Sequence, residues 1–110
     1  AADVITMDGY VVNKVGTFQI ALAASYHNIP YFVTGTPNLR HETIDTVKIE
    51  YRDPELVMEA MGTKVTKEGV KAYYPAFDIT PPKLCNGVVT DLGVFSPYQL
   101  KAYAEKGKTL

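Results

Sequence analysis

An aspartate near the start of the chain and a polar motif ten residues later are the residues most able to do chemistry. Asp3 follows two alanines, while Asn13 and Lys14 begin the sequence Asn-Lys-Val-Gly-Thr at residues 13–17. A carboxyl group can carry a proton, and a lysine or the first N–H groups of a helix can bind an anion. The chain therefore combines a candidate acid/base group with a candidate anion site.

Each of these three residues also has a structural interpretation. A loop aspartate such as Asp3 commonly accepts hydrogen bonds from its own loop, and asparagine is a frequent helix N-cap. Lys14 could be an ordinary solvated side chain. Spacing alone leaves both interpretations open, although it excludes a P-loop because the Gly-x4-Gly-Lys-Ser/Thr pattern is absent.

The elements that must position these residues alternate between strand and helix. Residues 1–5 predict the end of a buried strand, with a break at Asp8 and Gly9. Apolar residues at three- and four-residue steps predict a helix over residues 13–27, and the apolar run at residues 29–34 predicts a central, parallel strand. Further along, we expect strands at 47–51 and 70–74, helices at 53–60, 81–86 and 97–106, an irregular excursion at 61–69, and a helix stop at Gly107.

Five separated motifs then occur in one order along the chain. They are Ala-Ala-Asp at residues 1–3, Val-Asn-Lys-Val-Gly-Thr at 12–17, Ile-Glu-Tyr-Arg-Asp-Pro at 49–54, Pro-Ala-Phe-Asp-Ile-Thr-Pro-Pro at 75–82, and Thr-Asp-Leu-Gly-Val-Phe at 90–95. Together they resemble the C-terminal catalytic domain of the methylthioribose-1-phosphate isomerase family. That family includes ribose-1,5-bisphosphate isomerases and is related to the regulatory subunits of initiation factor 2B.

The resemblance implies an α/β fold, a Rossmann-like three-layer domain with a largely parallel sheet. Residues 1–110 would form this C-terminal part of a larger isomerase, as a fragment without the N-terminal helical domain of the family. The implied activity is aldose-ketose isomerisation without a cofactor. Of the enzymes in the family, the resemblance favours the cytoplasmic one that acts on S-methyl-5-thioribose 1-phosphate in methionine salvage. The implied partners are the sugar phosphate, the N-terminal remainder of the same protein and a second copy in a homodimer.

The resemblance also implies roles for the three polar residues. In this family the aspartate at the position of Asp3 moves protons between C1 and C2 of the sugar, together with a cysteine from earlier in the chain. A carboxyl group suits that work if partial burial favours its protonated form. Asn13 would bind sugar hydroxyls, and Lys14 would hold other polar groups of the ligand.

Some positions depart from the family pattern and leave the substrate open. Val4 stands where many methylthioribose-phosphate isomerases have arginine, and Thr-Gly-Thr-Pro at residues 34–37 replaces their Ala-Ala-Pro loop. Residues 11–17 are closer to ribose-1,5-bisphosphate isomerases, whereas 67–70 and 93–97 are closer to the methylthioribose enzymes. A noncatalytic regulatory subunit is the other alternative, but retention of Asp3 and of residues 75–82 favours the enzyme.

Other reactive side chains are given structural roles. Cys85 lies in an apolar stretch, does not match the family's catalytic cysteine and is expected in the core. Asp78 is expected to accept backbone N–H bonds at a turn, with Phe77 in the core. Because His27, His41 and the single cysteine are widely separated, no metal-ligand spacing emerges and no metal site is expected.

Composition limits the remaining function classes. A chain of 110 residues with 46% hydrophobic residues can form one small packed domain. Its formal net charge of −1 and scattered basic residues argue against nucleic acid as a partner, and no apolar run approaches the ~20 residues that span a bilayer. One cysteine cannot form an internal disulfide, which fits a reducing compartment. Apolar residues at 88–89 and at Phe95, Tyr98 and Tyr103 predict a dimer surface.

Overall fold

The computed structural model describes residues 1–108, which form a mixed α/β fold. The strands are β1 (Val4–Ile5), β2 (Val11–Lys14), β3 (Phe32–Thr34), β4 (Glu59–Ala60), β5 (Thr63–Lys64), β6 (Phe77–Thr80), β7 (Gly87–Thr90) and β8 (Gly93–Phe95). The helices are α1 (Thr17–Tyr26), α2 (Glu55–Met58) and α3 (Leu100–Lys108), with single 3-10 turns at Ile44–Thr46 and Pro82–Leu84.

The first sheet is antiparallel and has the strand order β1-β2-β6. A tight turn joins β1 to β2, in which the N–H of Thr6 donates to the carbonyl of Tyr10 at 2.9 Å. Gly9 in this turn has a φ of 90°, and a Cβ there would lie 2.2 Å from the carbonyl oxygen of Pro97. Both constraints require glycine. The predicted break at Asp8 and Gly9 is thus confirmed.

The second sheet is mixed and has the order β3-β7-β8. β3 pairs with β7 in parallel, and β7 pairs with β8 through an antiparallel hairpin. Within residues 1–108, no strand pairs with the other side of β3, so it lies at an edge instead of the expected central position. The expected largely parallel sheet is therefore represented here by one parallel pair.

Helix α1 begins at Thr17, four residues later than predicted. Asn13 and Lys14 belong to β2 because they pair with Asp78 and Phe77 of β6. Gly16 then adopts a left-handed conformation, with φ 110° and ψ −22°, which ends the strand and starts the helix. A pattern of helical apolar spacing could not reveal these pairings over more than sixty residues of sequence.

The segment between β3 and β6 contains less regular structure than predicted. The expected strands at residues 47–51 and 70–74 are not formed, and an isolated antiparallel bridge pairs Tyr51 with Pro75. The expected helix at 53–60 is the single turn α2, whose Glu55 N–H donates to Asp53 Oδ1 at 3.0 Å. Within the excursion, β4 and β5 form a two-stranded hairpin around Met61 and Gly62.

The C-terminal elements differ from the predictions in their limits. The expected helix at 81–86 is only the 3-10 turn Pro82–Leu84. The last helix begins at Leu100 and passes through Gly107 to Lys108, so Gly107 is not its stop. No helix among residues 1–108 is long and apolar enough to cross a membrane.

The main core lies where the two sheets meet. Its buried residues come from both sheets, from the end of the 3-10 turn Pro82–Leu84 and from α3, namely Ile5, Val11, Val33, Cys85, Val88 and Leu100. Phe95 packs against this core and meets Tyr103 edge-on, with ring centroids 5.7 Å apart. Val88 is buried and Phe95 and Tyr103 are half-buried, so of the residues expected at a dimer surface Tyr98 is the strongly exposed one.

Candidate functional site

Asp3 lies where the two sheets approach each other. Its N–H donates to the carbonyl of Val12 in β2 at 3.1 Å, while the N–H of Ala2 donates to the carbonyl of Thr34 at the end of β3 at 2.9 Å. The Asp3 side chain is exposed, and no hydrogen bond or ion pair of its carboxylate is formed with residues 1–108. The described chain therefore does not supply the partial burial that would favour protonation, and it leaves the carboxylate open to a ligand.

Asn13 lies next to the residue that receives the Asp3 hydrogen bond. It is half-buried, and its Nδ2 donates to Thr17 Oγ1 at 3.2 Å. Thr17 Oγ1 in turn donates to the carbonyl of Lys14 at 2.7 Å. These two bonds join the end of β2 to the first turn of α1.

Lys14 occupies the opposite face of β2 from Asn13, as the alternation of side chains along a strand requires. It is exposed, and its Nζ lies 5.1 Å from the centroid of the Phe77 ring. An aromatic ring face attracts a cation at this distance. The ammonium is thereby held beside β6 with its outer side in solvent.

The first turn of α1 is closed by the carboxylate of Asp78. Asp78 Oδ2 accepts a hydrogen bond from the Gly16 N–H at 2.8 Å, and both carboxylate oxygens lie 3.1 to 3.2 Å from the Phe18 nitrogen. The expectation that Asp78 accepts backbone N–H bonds is confirmed, but its donors belong to a turn about sixty residues earlier. The helix start is not the vacant anion site that the sequence suggested, because an internal carboxylate occupies it.

Gly16 has a conformational role at this turn. Its φ of 110° is one that side-chain-bearing residues rarely adopt, and a Cβ there would meet nothing closer than Gln19 Oε1 at 3.9 Å. Close packing therefore does not require this glycine. The requirement comes from the backbone angle that directs the Gly16 N–H at Asp78.

The other candidate groups lie apart from this cluster. Cys85 is buried as predicted, its Sγ lies 3.3 Å from the Gly87 carbonyl, and burial raises the pKa of its thiol. His27 contacts Tyr26 edge-on, and His41 Nδ1 lies 2.7 Å from Thr46 Oγ1. No group of three His, Cys, Asp or Glu side chains arranged for a metal ion occurs in the part of the chain described.

One surface cavity lies beside this cluster, and a larger groove lies away from it. A cavity of about 340 Å³ adjoins the start of α1, and its walls include Phe18, Phe77, Asp78, Tyr51 and Tyr73. The two tyrosine hydroxyls are 3.2 Å apart, and this hydrogen bond raises the pKa of Tyr73. Sequence patterns did not indicate this pair, since its members come from segments 22 residues apart.

A larger groove of about 900 Å³ lies between α3 and the loop that follows β3. Met7, Leu39 and Tyr98 contribute apolar surface to it, and Glu42 and Lys101 contribute charge. Asp3, Asn13 and Lys14 do not line it. The three candidate residues therefore lie outside the larger of the two openings.

The family model described as the initiation factor 2 subunit family matches residues 1–97. The chain belongs to this family. Among curated relatives, methylthioribose-1-phosphate isomerase of Thermosynechococcus vestitus is 42% identical over 102 residues. That alignment covers 90% of this chain and 29% of the relative, so the chain spans less than a third of the length of the relative.

Two solved structures in this family share the fold of the chain. The 5-methylthioribose 1-phosphate isomerase of Pyrococcus horikoshii has a TM-score of 0.86 and 32% identity, over 99% of this chain and 31% of its own. The subunit delta of translation initiation factor eIF-2B from A. fulgidus has a TM-score of 0.81 and 32% identity, over 99% of this chain and 32% of its own. The family thus includes a named enzyme and a named initiation factor at equal identity to the chain.

Proposed function

We propose that residues 1–110 form the C-terminal catalytic domain of an aldose-ketose isomerase that acts on a 5-substituted ribose 1-phosphate. The observation that carries this proposal is the position of Asp3, exposed and hydrogen-bonded through its backbone to the residue before Asn13. Support comes from the enzyme name of the relatives at 37–42% identity. The domain assignment for residues 1–110 rests on the length of those relatives.

The reaction requires only that the protein move protons and bind the sugar phosphate. In the net conversion the hydrogen on C2 moves to C1, and the proton of the C2 hydroxyl moves to the ring oxygen as the ring opens. No electron acceptor is consumed, so proton-carrying and hydrogen-bonding groups suffice. We assign a proton-carrying role to Asp3, hydroxyl binding to Asn13 and contact with the ligand's anionic part to Lys14.

The second proton-carrying group is assigned to the part of the intact protein outside residues 1–110. Cys85 does not fit this role, because it is buried in the core and its thiol has a raised pKa. A buried neutral thiol is a poor proton acceptor. The N-terminal remainder is therefore a required partner of this domain.

S-methyl-5-thioribose 1-phosphate is the proposed substrate, with ribose 1,5-bisphosphate as the alternative. The printed names of the relatives favour the first. The experiment is to assay the purified intact protein on both sugar phosphates. A higher kcat/KM on the methylthio compound supports this choice, whereas preference for the bisphosphate would replace it.

A noncatalytic regulatory subunit is the second candidate function. The A. fulgidus initiation factor subunit, at the same 32% identity as the Pyrococcus enzyme, favours it. The same assay separates the two classes. Absence of turnover on either sugar phosphate, in protein shown to be folded by circular dichroism, would favour the regulatory subunit.

We further propose that the intact protein has a Rossmann-like, largely parallel sheet that continues past β3. The Ala2 N–H already bonds to Thr34 at the end of β3, so chain preceding Ala1 is placed to run beside that strand. Phe32 on this open edge is 54% exposed. Assembly as a homodimer and a cytoplasmic location complete the proposal, and both rest on the resemblance to the isomerase family.

A further inference from the structure

We propose that Asp78 is a positioning residue of this site, which fixes Asn13 and Lys14 by holding the turn between β2 and α1. The inference rests on the isomerase function proposed above. Asp78 does not need to touch the substrate in this role. It acts through the backbone of the turn and through the strand pairing that it shares with Asn13.

The contacts of Asp78 reach both ends of the turn. Its carboxylate accepts hydrogen bonds from the Gly16 N–H at 2.8 Å and from the Phe18 N–H at 3.1 Å. In the strand register, Asp78 lies directly opposite Asn13, while its neighbour Phe77 lies opposite Lys14. One residue of β6 thus connects the end of β2, the left-handed glycine and the first turn of α1.

A carboxylate suits this arrangement better than a neutral amide does. Oδ2 accepts from both the Gly16 and the Phe18 N–H, and Oδ1 lies 3.2 Å from the Phe18 nitrogen as a second acceptor. The negative charge of the carboxylate also lies at the amino end of α1, where the helix dipole favours an anion. An asparagine with its oxygen in the place of Oδ2 would have no negative charge, and its NH₂ group would lie against the Phe18 N–H in the place of Oδ1.

The turn carries the geometry of the proposed substrate-binding residues. Asn13 Nδ2 bonds to Thr17 Oγ1, and Thr17 Oγ1 bonds to the Lys14 carbonyl, so the side chain of Asn13 is oriented by the first residue of α1. If the N–H groups of Gly16 and Phe18 lost their acceptor, this first turn would be free to shift. A displacement of about 1 Å at a catalytic site can cost on the order of 10²-fold in rate.

The experiment compares Asp78→Asn with wild type in the intact protein. We expect kcat/KM to fall about 10- to 100-fold, mainly through a higher KM, because the displaced residues bind the substrate. Hydrogen-exchange mass spectrometry should show faster exchange in peptides that contain residues 16–18. Thr80→Val is the matched control, since Thr80 lies two residues along the same strand and pairs with Val11, at the end of β2 away from the turn.

A second variant changes the same turn at the residue that donates to Asp78. Gly16→Ala forces a side chain into the φ of 110° and should reproduce the rise in KM. Its effect and that of Asp78→Asn should be less than additive if both act through one turn. Asp78→Glu, which restores the charge on a longer side chain, should recover part of the lost affinity.

Asp78 has no positioning role if Asp78→Asn lowers the melting temperature, or speeds exchange, while KM stays within about twofold of wild type. Unchanged exchange at residues 16–18 would also overturn the proposal. If wild type turns over neither sugar phosphate, the isomerase function fails separately. In that case the affinity for each sugar phosphate is measured by calorimetry in place of KM. Equal affinities of wild type and Asp78→Asn would overturn the positioning role.

Discussion

At the scale of single residues, the site separates a proton carrier from the residues that hold the ligand. Asp3 has no neighbouring acid or base bonded to it within the described residues, and its exposed carboxylate faces solvent. Asn13 and Lys14 are instead held by contacts with Thr17 and Phe77. We therefore expect substitutions of Asp3 to affect turnover and substitutions of Lys14 to affect binding.

Asp3→Asn in the intact protein should lower kcat by about 10²–10⁴ and change KM by only a few-fold. The amide keeps the size and hydrogen-bonding ability of the side chain but cannot carry the proton. Steady-state kinetics on S-methyl-5-thioribose 1-phosphate measure this split. Asp45→Asn, at an exposed aspartate on the 3-10 turn Ile44–Thr46, is the control. Near wild-type turnover of Asp3→Asn would make Asp3 a loop brace.

Lys14→Ala should raise KM about tenfold or more while kcat changes little, because it removes a charged donor to an anionic ligand. Lys14→Arg keeps the charge and should retain most of the affinity. Lys48→Ala removes an exposed lysine from the extended segment before α2 and serves as the control. If Lys14→Ala and Lys48→Ala had equal effects on KM, Lys14 would be an ordinary solvated side chain.

At the scale of elements, two buried threonines of the first sheet differ in their hydrogen bonding, Thr6 in the turn after β1 and Thr80 at the end of β6. Thr6 and Thr80 are both 0% exposed. Thr6 Oγ1 bonds to the Asp8 carboxylate and accepts the Tyr10 N–H at 3.1 Å, whereas Thr80 Oγ1 has no hydrogen-bond partner among the residues described. A buried hydroxyl without a partner costs about 1–3 kcal/mol.

Thr80→Val should therefore leave the free energy of unfolding unchanged or raise it by about 1 kcal/mol, since valine removes the unpaired hydroxyl and keeps the branched shape. Thr6→Val should lower the free energy of unfolding by about 1–2 kcal/mol, because it leaves the partners of the Thr6 hydroxyl without their hydrogen bonds. Urea denaturation of the two variants measures the difference. Equal destabilisation by both would mean that the Thr80 hydroxyl has a partner in solution.

Local patterns in the sequence predicted the elements more accurately than their ends. The break at Asp8 and Gly9, the body of α1 and the burial of Cys85 depend on nearby residues or on hydrophobicity, and the structure confirms them. The start of α1 depends on the pairing of Asn13 with Asp78, which no local pattern encodes. For the same reason the sequence predicted that Asp78 accepts backbone N–H bonds but did not show that the donors are Gly16 and Phe18.

At the scale of the whole molecule, the described chain is extended. Its radius of gyration is 17.0 Å and its longest dimension is 58 Å. A compact domain of this length would have a radius of gyration of about 13 Å. The segment between β3 and β6 carries exposed apolar side chains, with Leu56 64% exposed and Met61 fully exposed at the tip of the β4–β5 hairpin. Such surface fits a chain that packs against further protein.

The proposed dimer is tested on the intact protein. We expect light scattering at micromolar concentration to give twice the mass of one chain, because exposed apolar surface of this kind is normally covered in an assembly. Tyr98→Lys, at a residue that is 66% exposed beside α3, should shift the mass toward one chain if the dimer uses this surface. A single-chain mass for wild type would contradict the homodimer.

The open edge of β3 gives a prediction that distinguishes residues 1–110 alone from the intact protein. Phe32→Lys should reduce hydrophobic-dye binding and self-association of the isolated chain, because it charges an unpaired edge strand. In the intact protein the same substitution should lower the free energy of unfolding by about 1–3 kcal/mol, because Phe32 lies on the sheet face opposite Val33, which a three-layer domain would cover. Met61→Lys, at the hairpin tip, should be tolerated in the intact protein. If Phe32→Lys were tolerated equally well, this face of the sheet would be open to solvent in the intact protein too, which contradicts the proposed three-layer domain.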